Sequence, residues 1–264
     1  MLDSHCHLDF PEFDADREQL LIDAHGLGIQ GCLVPGVDEK LWPAQDALLG
    51  RAGIHVATGL HPWFLRGDDP VDVALARLER RAREVRAVAI GECGLDAKRT
   101  GWEVAAQGRW FEAQLELARS LDLPVVVHQV GARAEFLRAL QRVGPLPRAG
   151  VVHAFSGDTA WARALLARGF YLGFGAAVSM PKRQRLRAAL LEVPADRVLL
   201  ETDAPASSQP GTRSVPADLL SVCRAVASVR STSPEQMAEQ SDANLARLLG
   251  FSSPLDLLLP RATA

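Results

Sequence analysis

Short apolar, β-branched runs recur along this chain, each bounded by turn residues and followed by a stretch with helical periodicity, and that alternation leaves few folds open. Repeated βα units of this kind build a parallel sheet covered by helices. Eight can be placed, with strands expected at Met1–Cys6, Gly31–Pro35, His55–Leu60, Ala87–Glu92, Pro124–His128, Gly150–Ala154, Phe170–Gly175 and Val198–Asp203. Amphipathic segments such as Ala105–Ser120 and Thr159–Arg168 lie between them. Ser233-Pro234-Glu235 supplies an N-cap followed by proline at the first helical position, so a last helix is expected to run to about Leu249 and stop at Gly250. Eight units in 264 residues match one barrel of roughly 250 residues, so the expected fold is an α/β (β/α)8 TIM barrel forming a single domain over 1–264. The one long loop, Ala204–Pro216, follows the eighth strand, where barrel enzymes place substrate contacts.

Charge and cysteine usage narrow the function classes. A formal net charge of −3 gives no overall attraction for nucleic acid or anionic membrane, so any polyanion must be gripped locally. The four cysteines, Cys6, Cys32, Cys93 and Cys223, include no CxxC pair, which argues against both a disulfide framework and a thiolate zinc site. The opening Met1-Leu2-Asp3-Ser4-His5 lacks the pattern of a secretion signal, and no apolar run approaches the roughly 20 residues a bilayer helix needs. No membrane association is expected, and reduced thiols suit a cytoplasmic protein. The oligomeric state stays open, with a monomer plausible.

The chemistry sits where a barrel would gather it. Loops at the carboxyl ends of barrel strands converge on one mouth, and six metal-type side chains fall at expected strand ends of that polarity. His5 and His7 close the first strand, Glu92 the fourth, His128 the fifth, His153 the sixth and Asp203 the eighth. By contrast, His25 lies within a helical segment and His55 at a strand start, so both read as surface or stability residues. Neutral imidazole suits zinc, manganese, cobalt or nickel. Four histidines with two carboxylates make a set too rich for one tetrahedral ion that keeps a position open for water, so two divalent cations (Zn, Mn or Mg) are expected. Glu92 is the natural bridge, its strand lying between the two histidine groups. A pair of ions can acidify a shared water and clamp both oxygens of a displacement. Cys93 alternates away from Glu92 along the strand and reads as a small buried hydrophobe.

The segments His5-Cys6-His7-Leu8-Asp9, Gly59-Leu60-His61-Pro62, Gly91-Glu92-Cys93-Gly94-Leu95-Asp96, Val152-His153-Ala154-Phe155-Ser156-Gly157 and Glu201-Thr202-Asp203-Ala204-Pro205 resemble the TatD family of metal-dependent hydrolases. The resemblance extends from residue 2 to the Asn244–Leu249 segment, and after Gly94-Leu95-Asp96 it is most similar to the YjjV-type branch. It implies a distorted TIM barrel of the amidohydrolase type, two metal ions and a 3′ to 5′ exonuclease activity on DNA. It also implies that His5, His7, Glu92 and Asp203 hold one ion and Glu92, His128 and His153 the other. Glu92 and Asp203 become the catalytic residues, with Asp203 taking a proton from the attacking water, and His61 is placed near the substrate phosphate.

The sequence departs from the family pattern where substrate would sit. Ala97, Lys98 and Arg99 follow Asp96, Gln129 and Val130 follow His128, and the last loop reads Arg213-Ser214-Val215-Pro216. Lys98, Arg183 and Arg213, on loops after strands four, seven and eight, are candidate contacts to a phosphate oxygen. Trp63 and Phe64 stack on a base or wedge their loop, with packing the commoner role for such aromatics. The expected substrate is DNA or a small phosphodiester. A small ester, amide, lactone or aminoacyl ester served by the same cage stays open, as does a non-catalytic subunit keeping a structural metal.

Overall fold

The computed structural model describes residues 1–65, 70–98, 103–207 and 211–260. Arg99 and part of the loop after strand eight, residues 208–210, therefore lie outside the described residues. Eight parallel strands form one sheet in sequence order: β1 Leu2–Asp3, β2 Gly31–Pro35, β3 Ile54–Thr58, β4 Ala89–Asp96, β5 Val125–Val130, β6 Gly150–Val152, β7 Tyr171–Phe174 and β8 Val198–Leu200. Around them run α1 Arg17–Gly26, α2 Trp42–Asp46, α3 Val71–Glu84, α4 Val104–Ser120, α5 Arg133–Val143, α6 Thr159–Leu166, α7 Gln184–Glu192, α8 Leu219–Arg230 and α9 Pro234–Leu249. Past the strand ends the chain keeps bonding and brings β8 round to β1. Ser4 N–H donates to Leu200 O (3.0 Å), Asp203 N–H to His5 O (2.9 Å) and His7 N–H to Ala204 O (2.7 Å). The expected barrel is the one found.

Two ends of the barrel are built differently. At the amino end, Leu2, Leu33, Ala57, Ala89, Val126, Val151 and Leu199 pack against Leu245, Ala246, Leu248 and Leu249 of α9, which closes the floor. The polar residues of α9 finish the backbone accounting there. Asn244 Nδ2 donates to Ala195 O and Val198 O (2.8 Å each), Ser241 Oγ accepts from Leu200 N–H (3.0 Å), and Asp242 Oδ1 accepts from Leu2 N–H (2.8 Å). A buried backbone group without a partner would be costly, so α9 is part of the barrel closure. Its start and stop are as expected, with Ser233 capping Gln236 N–H and Gly250 left-handed at φ 80°.

Strand boundaries depart from expectation in a way that matters. β1 and β8 end three residues early, and β4 runs on through Cys93, Gly94 and Leu95 to Asp96. Glu92 therefore does not close its strand but sits within it, at a register shift between Ile90 and Cys93 against β5. The flanking glycines permit this. Gly91 and Gly94 have φ of 143° and 146°, and a Cβ there would lie 2.4 Å from Val126 O and 1.9 Å from His128 O. Only glycine lets β4 press this closely on β5. Cys93 is buried against Val126 O as expected, and His55, also buried, bonds Leu257 O (2.7 Å) as a stability residue. Among the described residues no helix is long and apolar enough to cross a membrane.

Candidate metal centre

The cage forms where β1, β3, β4, β5, β6 and β8 turn out at the carboxyl end of the barrel. Glu92, 2% exposed, lies at its centre with its two oxygens facing different partners. Oε2 is 3.2 Å from both His5 Nε2 and His7 Nε2; Oε1 is 2.7 Å from His153 Nε2, 3.1 Å from His128 Nδ1 and 3.2 Å from His61 Nε2. Asp203 Oδ1 joins the first side, 3.5 Å from His5 Nε2 and 3.6 Å from His7 Nε2. The six expected ligands are thus brought together, on two sides of one carboxylate.

Donor spacing tests whether a cation fits. Ligand atoms bound to one ion at about 2.1 Å, at tetrahedral or octahedral angles, lie roughly 3.0–3.4 Å apart. The His5 and His7 nitrogens are 3.1 Å apart, and His128 Nδ1 and His153 Nε2 are 3.3 Å apart. Imidazoles converging at such distances on one carboxylate match that geometry, and the N/O donor set suits a divalent transition ion. Among the described residues the ligand-like groupings are His5, Glu92 and His153; His5, His7 and Asp203; and His61, Glu92 and His128.

The charge distribution follows from this crowding. Burial pushes the Glu92 carboxyl up, but His153, His61, His5 and the hydrogen bond from His128 outweigh it, and its pKa falls well below the usual range. Burial lowers the His153 pKa, yet Glu92 and then Asp203 more than compensate and carry it to about 10. His5, wholly buried, is pushed down to about 4 by burial and by His153, against the pull of Glu92. A proton shared among these groups occupies what a cation would displace.

Two carboxylates at the site, Asp96 and Glu201, were not assigned by sequence reasoning, and His61 was assigned only through the resemblance. His61, expected near the substrate phosphate, has its Nε2 3.2 Å from Glu92 Oε1, in the grouping with Glu92 and His128. Asp96 Oδ2 accepts from Trp63 Nε1 (2.8 Å) and lies 3.1 Å from His128 Nε2, so it fixes the ring that faces Glu92. A carboxylate behind a ligating imidazole is the usual device for setting its tautomer and orientation. Glu201 lies behind His153, 3.9 Å from Nδ1, accepting a short hydrogen bond from Ala154 N–H. The signal for both carboxylates was a charge carried straight off a buried strand, in Gly-Leu-Asp and Glu-Thr-Asp.

The expected cationic contacts do not gather. Lys98 and Arg183 are exposed and neither lines the cavity over the cage. Lys98 gives its backbone N–H to Asp96 Oδ1 (2.8 Å); Arg183 stands at the N-cap position of α7 with Lys182 and Arg185 also exposed, while Arg187 Nε donates to Val178 O (2.9 Å). Arg213 does line the cavity, but its guanidinium is held by Asp16 (2.6 Å) and Glu12 O over the Phe13 ring. Trp63, expected to pack, is 48% exposed at the cavity wall.

Buried carboxyls give the metal-free protein a distinctive pH response. Burial raises Glu201 to about 8, Asp3 to about 7 and Asp9 to about 6. Each folded-state value exceeds the unfolded one, so the folded chain holds extra protons in between and the contribution of these three carboxyls to stability falls as pH rises from about 4 to 8. Glu201→Gln, which mimics the protonated acid, is expected to make that fall shallower. Urea denaturation of chelator-treated protein at pH 5, 6.5 and 8 checks it; an unchanged slope in the variant would refute the assignment.

Parallel strands feeding imidazoles and carboxylates into one rim define a barrel metallohydrolase. The sequence profile for TatD related DNase matches residues 2–250. The chain is 34% identical over 207 residues to the uncharacterized metal-dependent hydrolase YjjV of Escherichia coli, covering 77% of this chain and 79% of that one. It is 37% identical over 258 residues to the 3′-5′ ssDNA/RNA exonuclease TatD of Cronobacter sakazakii, covering 94% and 97%. The crystal structure of Escherichia coli YjjV superposes with a TM-score of 0.85 at 31% identity, covering 94% of this chain and 97% of that chain. The chain belongs to the TatD family of metal-dependent hydrolases.

Proposed function

We propose that this chain is a two-cation phosphodiesterase that releases nucleotides from the 3′ end of DNA, acting as one domain over 1–264. The observation that carries the reading is the splitting of the Glu92 carboxylate between two groups of donors, which supports a bridged pair of ions with His5, His7 and Asp203 on one side and His128 and His153 on the other. His61 completes the second side as a ligand or as a donor to the phosphate. Bound there, divalent ions would polarise the phosphoryl group and acidify the attacking water. The naming of relatives as 3′-5′ ssDNA/RNA exonucleases supports the choice of substrate.

The protein's own groups would do the rest. Asp203 is the most open carboxylate of the cage, its side chain 27% exposed, and so is placed to accept the water proton at Oδ1. Asp96 holds His128 against Glu92, and Phe10, stacked on the His7 ring at 4.5 Å, screens the first side from water. Arg213, released from Asp16, would reach a phosphate oxygen at the cavity edge. Four free, buried cysteines support a cytoplasmic setting.

The test is turnover of single-stranded DNA with magnesium, manganese or zinc, beside a panel of esters and lactones. Mononucleotide release that stops with a chelator and returns with the ion is the expected result. Ester turnover without DNA turnover would overturn the choice of bond.

A further inference from the structure

We propose that Trp63 is the stacking platform for the nucleobase beside the reacting phosphate, an inference that rests on the phosphodiesterase reading and names how that site selects its substrate. Three observations converge on it.

The first is exposure at the right place. Trp63 follows His61 out of β3 and stands in the wall of a cavity of about 470 Å³ over the cage, within the roughly 300–1,000 Å³ of small-ligand sites. Leaving an indole 48% exposed forgoes apolar burial that an aromatic normally obtains. The second is fixation. Indole Nε1 donates to Asp96 Oδ2 at 2.8 Å, and the same oxygen meets His128 Nε2 at 3.1 Å. One carboxylate oxygen thereby sets the indole and a cage imidazole in a common frame, with ring centroids 6.0 Å apart; the His61 ring is 5.3 Å from the indole. A base resting on that indole is positioned relative to the phosphate at the cage without any mobile intermediary, which limits the ordering entropy of binding.

The third is what else the wall offers. Among the described residues lining this cavity, Arg213 is the sole lysine or arginine, and it is already engaged by Asp16 and Glu12 O. Beyond the cage and the single phosphate contact that Arg213 could make once released, recognition therefore falls on ring faces. Stacking is sequence-tolerant because every base presents a π-face, so the four bases are expected to be handled alike. Few phosphate contacts also mean a shallow dependence of affinity on salt.

The experiment compares the affinities of dAMP and deoxyribose 5-phosphate for the manganese-loaded protein by calorimetry. Wild type is expected to favour dAMP by roughly 5- to 150-fold, the equivalent of about 1–3 kcal/mol for one stacked base. Trp63→Ala collapses that ratio toward one. Trp63→Phe, which keeps a ring but cannot donate to Asp96, retains most of it. Equal affinities in wild type, or a ratio untouched by Trp63→Ala, overturn the platform. A ratio lost equally in Trp63→Phe also overturns it, because the indole then acts by holding Asp96. Absence of DNA turnover alongside an intact ratio would sink the nuclease reading while leaving the platform in place.

Discussion

Replacing Glu92 with alanine is expected to lower kcat/KM for DNA by a factor of about 1,000 or more and to strip the protein of bound divalent ion. The carboxylate touches five imidazoles, and among the described residues no other carboxylate spans both sides, since Asp203 reaches only the His5 and His7 side together with a 3.9 Å approach to His153. Removing it takes away the negative charge that holds His153 protonated and that would offset a cation's charge. The two oxygens of Glu92 face different groups of donors, so its loss is felt on both sides of the cage. Metal content measured after dialysis, beside single-stranded DNA turnover and circular dichroism, checks this. A folded variant that keeps a tenth of the wild-type rate, or its full complement of ion, would refute the cage as described.

Asp203→Asn should separate proton transfer from binding. The amide has the shape of the carboxylate and can still present an oxygen toward His5 and His7, but it cannot take a proton. Its position at φ 56°, in the left-handed region that asparagine tolerates well, makes the substitution conformationally mild. The expected result is a fall in kcat of roughly 100- to 10,000-fold with KM changed far less, the range typical of a lost general base. A variant within threefold of wild-type kcat would place the proton acceptor elsewhere.

The sequence carried the barrel and the positions of the cage through one rule, that working residues leave the carboxyl ends of strands. His5, His7, His153 and Asp203 obey it as residues just past β1, β6 and β8, and His128 sits near the end of β5. Glu92 obeys it only loosely. The register shift that turns it inward depends on the close approach of β4 to β5 at Gly91 and Gly94, a tertiary contact that local pattern does not encode. The approach of His61 to Glu92 has a similar cause. A strand-end histidine is visible in the sequence, but which atom its ring meets is set by the neighbouring strand. Lys98 and Arg183 were placed on the correct loops, yet loop membership does not fix the direction of a long flexible side chain. Arg213 lines the cavity, and its engagement by Asp16 joins two segments nearly two hundred residues apart in sequence.

The route by which the cage is assembled has a consequence for synthesis. Its donors come from the first strand exit at His5 and His7 and from the last at Asp203, and the floor beneath them is α9. A nascent chain on the ribosome therefore exposes its early histidines long before their carboxylate partners emerge. Competence to hold cations at the cage therefore arrives only once Asp203 and α9 have been made, so products cut short before them carry imidazoles without a complete cage.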